Sequence, residues 1–156
     1  MKRPVPTPSP APRGETGSRP HGRTCLVAVD GTEAGVRALV WGLRHAADHD
    51  MRVEVLTVWP PHHSALVHEV PGHFCAPRWS ARAAQQDTIR DALDAVPDGR
   101  IVAATLENAD TASAIVRASA RHDLVVLGSR SRHGRHRLID RVLADAACDV
   151  VVVGSS

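Results

Sequence analysis

Two textures of hydrophobic and polar positions alternate along the chain. Thr24–Asp30 (TCLVAVD), Met51–Trp59 (MRVEVLTVW), Ile101–Leu106, Leu124–Leu127 and Val150–Val153 are short, nearly continuous apolar runs. Runs of this kind suit strands buried on both faces. The segments between them carry helical spacing instead. From Glu33 to about His49, Val36, Leu39, Val40 and Leu43 recur at i, i+3, i+4 and i+7, which places them on one helical face. Ile89, Leu93 and Val96 share a face in 83–96, Ile115 and Val116 point inward from 111–121, and Leu138, Ile139, Val142, Leu143 and Ala146 mark a last helix.

This strict alternation predicts an α/β fold, a doubly wound five-stranded parallel sheet with helices on both faces. The expected strand order is 3-2-1-4-5. In such a sheet ligands bind outside the carboxyl ends of the strands, where the order reverses. Asp30-Gly31 follows the first strand and Gly128-Ser129 the fourth. The expected order makes these two ends neighbours, so that one site can use both.

Composition narrows the picture. Aromatics are only 3% of the chain against 43% hydrophobic residues, so Val, Leu, Ile and Ala must build the core. Residues 1–23 are different: six of the eleven prolines lie at positions 4, 6, 8, 10, 12 and 20, interspersed with Lys2, Arg3, Arg13, Arg19 and Arg23. Too little of this segment is apolar to offset its ordering entropy, and it is expected to be a flexible basic tail before a domain at 24–156. A net charge of +2 is too small to mark a nucleic-acid-binding domain, and such binding through the tail would weaken steeply with salt. Cys25, Cys75 and Cys148 are widely spaced and odd in number, which indicates neither a disulfide framework nor a common zinc motif. No apolar run approaches the ~18 residues of a membrane span, and the N-terminus lacks the apolar segment of a secretory signal. A cytoplasmic location is the expectation.

Three candidate chemistries remain. The stretch Leu124–Arg137 (LVVLGSRSRHGRHR) runs from a strand into a Gly/Ser/Arg loop and then a helix start, an arrangement suited to anions. The arginines also fit a solvated rim. Asp30 followed by Glu33 fits a D-x-x-E helix start in which the Asp caps free amides. After Pro60-Pro61 closes the second strand, His62, His63, His68, His73 and Cys75 have the chemistry of transition-metal ligands but match no tight spacing, so no metal is assigned. No G-x-S-x-G elbow or nucleophile–base pair is present, and no enzyme is expected.

The segments VAVDGTEAGVRALVWGLRHA, VEVLTVW, LVVLGSRSRHG and CDVVVVG together resemble the universal stress protein family over residues 24–154. The resemblance implies that Asp30 and the backbone of Val58 hold an adenine. It also implies that a G-x2-G-x9-G-[S/T] loop after the fourth strand holds the ribose and phosphates of ATP or another adenine nucleotide. Gly128 matches the first glycine, but Ser131 stands at the second. Anchored on the final helix and Cys148, the closing pair falls on His136-Arg137, with four residues after Ser131 instead of nine. Without a gap it falls on Arg141-Val142; neither placement restores Gly-Ser or Gly-Thr. Ser and Arg reach positive φ only at a cost, so the loop reads as a degraded nucleotide site. If the site is retained, Asp30, Val58, Gly128, Ser129, Arg130, Ser131, Gly134 and Arg137 are its residues. The apolar last strand, Val150, Val151, Val152 and Val153, is expected at a sheet edge where a second copy pairs, in agreement with the family's common dimer. The expected function is a homodimeric stress-response interaction module for a protein partner the sequence does not name; the alternative is an adenine-nucleotide sensor.

Overall fold

The computed structural model describes residues 22–59, 76–130 and 137–155. Strands and helices alternate throughout: β1 Arg23–Ala28, α1 Glu33–His49, β2 Met51–Trp59, α2 Ala76–Ala95, β3 Ile101–Asn108, α3 Thr111–Ser119, β4 Leu124–Gly128, α4 Arg137–Asp145 and β5 Asp149–Val153. The five strands form one sheet in the order β3-β2-β1-β4-β5, and every pairing is parallel, as the sequence pattern predicts.

Each face of the sheet carries its own core. On one face Val27, Val53, Val55 and Val126 pack with Leu39 and Leu43 of α1 and Ala92 of α2. On the other, Leu26, Leu56, Val125 and Leu127 meet Ile115 of α3 and Val142 of α4. Burying an aliphatic side chain of this size contributes roughly 1.5–3 kcal/mol, so the near-absence of aromatics is made up by number. Cys25 lies within the first core, fully buried, and burial pushes its thiol up to about 12. It is a packing residue.

Several boundaries differ from the sequence expectation, for local reasons. β1 begins at Arg23, one residue before the expected start, and ends at Ala28. A last bond from the Val29 amide to the Leu56 carbonyl (2.9 Å) closes its ladder, and Asp30 lies beyond it. α2 starts at Ala76, seven residues before the apolar spacing at Ala83, because most side chains of its first turns face solvent and leave no periodic signal. Pro77 suits such a first turn, where its missing amide has no partner to lose. β3 continues to Asn108 opposite Trp59, and α3 stops at Ser119.

At the opposite end of the sheet from the strand carboxyl ends, side chains tie the elements together. Asp123 accepts from the Thr24 amide (2.8 Å) and gives its own amide to the Thr24 carbonyl (2.9 Å). The buried ring of His122 lies between the Ala118 carbonyl (Nδ1, 2.8 Å) and the Glu54 carboxylate (Nε2, 3.0 Å). At the other end Asp110 caps α3 by accepting from the Ser113 amide (3.1 Å), and Arg141 of α4 reaches both Asp110 (2.9 Å) and the Ser113 hydroxyl (2.8 Å). No helix among the described residues is long and apolar enough to cross a membrane.

Candidate site at the switch point

β1 and β4 are paired through Ala28↔Leu127, so Asp30 and the segment from Gly128 to Arg130 leave the sheet side by side. Strand order reverses here, since β2 and β3 are added on one side of β1 and β4 and β5 on the other, which opens the crevice expected of this topology.

Asp30 does not cap α1. Thr32 occupies the cap position, Glu33 is the first helical residue, and the Thr32 side chain makes no cap hydrogen bond. The Asp30 carboxylate instead accepts from the Thr32 amide (3.1 Å) and hydroxyl (2.5 Å), and its other oxygen pairs with the Arg130 guanidinium. Burial alone raises the Asp30 pKa, but the bonds from Thr32 and Arg130 outweigh it and hold the carboxyl below its ordinary value. Because the folded value is the lower one, this stabilisation is complete above the ordinary carboxylate range. It is lost as pH falls through the depressed value. Acid unfolding followed by circular dichroism should show it: below about pH 4, Asp30→Asn is expected to lose less stability than the wild type. An unchanged acid limb in the variant would show that the clasp adds nothing to the fold.

Gly31 follows with φ +82°, and a Cβ there would lie 2.8 Å from Ala84 Cβ of α2, so only glycine turns the chain at this point. Gly128 is more constrained still. A Cβ built on it would lie 2.1 Å from the carbonyl oxygen of Ala34, in the first turn of α1. The helix backbone crosses directly over β4, and that crossing requires the glycine whether or not any ligand binds.

The next residue is also committed. The Ser129 amide donates to the Val153 carbonyl (2.8 Å), extending the β4–β5 ladder, and the Ser129 carbonyl accepts from Arg37 of α1 (3.5 Å). This amide therefore does not face a phosphate. Arg37, which reaches toward Glu33 (3.9 Å) and buries an Nε without a hydrogen-bond partner among the described residues, was not legible as a site residue. Its only trace in the sequence is the Glu33–Arg37 spacing of an ordinary surface pair.

Val58 sits two strands from β4, half-buried against the second core. Its backbone carries the interest. Backbone groups alternate direction along a strand, and Leu56 bonds toward β1, so Val58 also turns its amide and carbonyl to the β1 side. There the β1 ladder has already ended, at Ala28↔Leu56. Asp30 and Val58 thus flank the same crevice. Arg137 opens α4 as an exposed residue. Ser131 and Gly134 lie outside the described residues, as do residues 1–21 and the candidates His62, His63, His68, His73 and Cys75. Val150–Val153 lie in β5, which is the last strand of the sheet and, among the described residues, pairs only with β4.

Comparison with solved structures finds this architecture repeatedly. A universal stress protein in complex with cAMP superposes with a TM-score of 0.67 at 17% identity, covering 86% of this chain and 98% of that one. The universal stress protein UspA from Lactobacillus plantarum gives 0.61 at 19% identity, with 84% and 97% covered. A universal stress protein family protein from Arabidopsis thaliana with AMP bound gives 0.59 at 19% identity, with 86% and 92% covered. No curated protein sequence matches the chain. The sequence profile of the universal stress protein family matches residues 22–154, nearly the whole of the domain. With the parallel 3-2-1-4-5 sheet, this match establishes that the chain belongs to the universal stress protein family.

Proposed function

We propose that this chain is a stress-response interaction module that works as a homodimer and whose ancestral nucleotide site is closed by its own side chains. One observation carries the reading: the Asp30 carboxylate, at the position that in the family meets adenine, is engaged by Arg130 and by Thr32. A ligand must displace Arg130 before it can use Asp30. Beyond the clasp, Ser129 has given its amide to β5 and Ser131 replaces the second glycine of the loop. Two structural relatives hold cAMP and AMP, so loss of the ligand here is a departure within the fold. No catalytic step is assigned.

A nucleotide sensor is the second reading, favoured by the Val58 backbone facing the crevice. Isothermal titration of the full chain with ATP, ADP and AMP, with and without Mg2+, separates the two. The closed site predicts no saturable heat at micromolar ligand for the wild type and tighter binding by Arg130→Ala. Micromolar wild-type binding that Asp30→Ala abolishes would establish the sensor. Gly128 variants are unsuited to this test, because that glycine is needed for packing.

The dimer rests on β5. Its valines are half-buried, and as an edge strand it leaves one row of backbone donors and acceptors for a second chain. Sedimentation should find the wild type dimeric at tens of micromolar, with Val151→Arg shifted to monomer while its far-ultraviolet circular dichroism is unchanged. A wild type that stays monomeric over that range removes the homodimer from the proposal.

A further inference from the structure

The face of α1 turned toward β5 carries a shallow groove that does not belong to the switch-point site. Its floor is apolar, made of Val36, Val40 and Trp41 of α1 with Val153 of β5, all half-buried, and Arg37 and Arg44 line it as well. His45 stacks on Trp41 with ring centroids 4.6 Å apart, which holds the indole as a fixed platform. Arg44 is exposed and has no hydrogen-bond or ion-pair partner among the described residues.

The chain enters the domain close to one end of this groove. Arg23 pairs with Met51, which directly follows Asp50, the residue that closes α1. Gly22 therefore lies beside the last turn of α1, where Asp48 borders the groove. The ten residues from there back to Pro12 can span roughly 33 Å. From Val36 to Asp48 the groove is only roughly 18 Å long, so the segment before Pro12 can reach all of it.

The chemistry of that segment suits the groove. Pro4–Pro12 (PVPTPSPAP) has five prolines in nine residues, which favours polyproline II, a helix of three residues per turn with no internal hydrogen bonds. Val5, Pro8 and Ala11 then share one apolar edge. Because proline has no amide proton, the nine residues offer nine carbonyls but only four amides. Such an acceptor-rich run without charge complements a rim of guanidinium donors over an aromatic floor. Lys2, Arg3 and Arg13 lie outside the run, so it brings no cation onto Arg37 and Arg44.

We propose that the chain's own Pro4–Pro12 docks in the α1–β5 groove as a polyproline II segment, with its Val5–Pro8–Ala11 edge on Val40 and Trp41 and its carbonyls toward Arg44. Tethering sets an effective concentration in the millimolar range, so a contact too weak to hold a free peptide keeps the segment docked. This docking is independent of nucleotide and does not rest on the closed clasp.

Trp41 supplies the readout. In the full chain carrying Trp59→Phe and Trp79→Phe it is the single tryptophan left of the three. Acrylamide is expected to quench its fluorescence about twofold more steeply once Val5→Asp, Pro8→Asp and Ala11→Asp are added, because the segment then no longer covers the indole. The difference should be the same at submicromolar and at tens-of-micromolar protein, as docking within one chain requires. A companion chain that keeps only Trp59 should not respond to the three substitutions. Equal quenching of Trp41 with and without them overturns the docking. An equal response at Trp59 overturns it too, by showing a general change of the domain, and shielding of Trp41 that disappears on dilution assigns the groove to a second copy instead.

Discussion

Gly128→Ala is expected to cost about 3 kcal/mol of stability, at the upper end of what overpacking usually costs. The added methyl would sit 2.1 Å from the Ala34 carbonyl oxygen and 2.5 Å from its carbon. Backbone cannot rotate aside as a side chain can, so the first turn of α1 must lift off β4. That lift disturbs Leu39 and Leu43, which are 0% and 2% exposed in the first core. Urea unfolding measures the effect, and a Gly128→Ala midpoint near the wild-type value would show that α1 does not lie this close to β4. The result also bears on interpretation. In a family where this glycine begins a nucleotide loop, loss of ligand on its mutation is easily credited to the phosphate contact, although here the helix crossing alone accounts for the residue.

The second large effect belongs to His122, at the other end of the sheet. His122→Ala is expected to destabilise by roughly 2–4 kcal/mol, through the cavity left by a buried ring and the loss of both its polar contacts. The hydrogen bonds also dictate a milder companion. With Nδ1–H given to Ala118, a neutral ring has only a lone pair at Nε2, and its 3.0 Å contact with Glu54 requires one further proton between them. The amide of Glu54→Gln supplies that proton without a charge, so this variant should stay within about 1 kcal/mol of the wild type. Equal losses for His122→Ala and Glu54→Gln in the same urea series would mean that the carboxylate's charge, and not the proton, holds the ring.

The positions that line the crevice were legible in the sequence, but unevenly. Asp30 and Gly128 were singled out because both stand where an apolar run meets a turn, and the strand order makes those positions adjacent. The partners of Asp30 were not. Arg130 is one hundred residues away in the chain, and no local pattern distinguishes an arginine that crosses the crevice from its neighbours on a solvated rim. The D-x-x-E spacing suggested a helix cap, yet the chain turns at Gly31 and puts Thr32 in the cap position, so the carboxylate faces the crevice. Ser129 looked like part of an anion loop because serine and glycine favour such loops, and only the β4–β5 ladder shows its amide already used. The early start of α2 escaped detection for the converse reason: its first turns face water, and periodicity records only what is buried.

What the sequence determines by itself is the period and length of each element. Continuous apolar runs of strand length and amphipathic runs of helix length have only a few ways to bury their faces, and parallel pairing with crossover helices on both sides is the one that satisfies them here. Tertiary structure decides what each side chain at the crevice is doing. A carboxylate, a guanidinium and a backbone amide take whichever partner the folded chain brings within about 3 Å, and those partners come from different strands. Hydrophobic burial is written locally, in spacing; hydrogen bonding across the switch point exists only once β1, β4 and β5 are side by side.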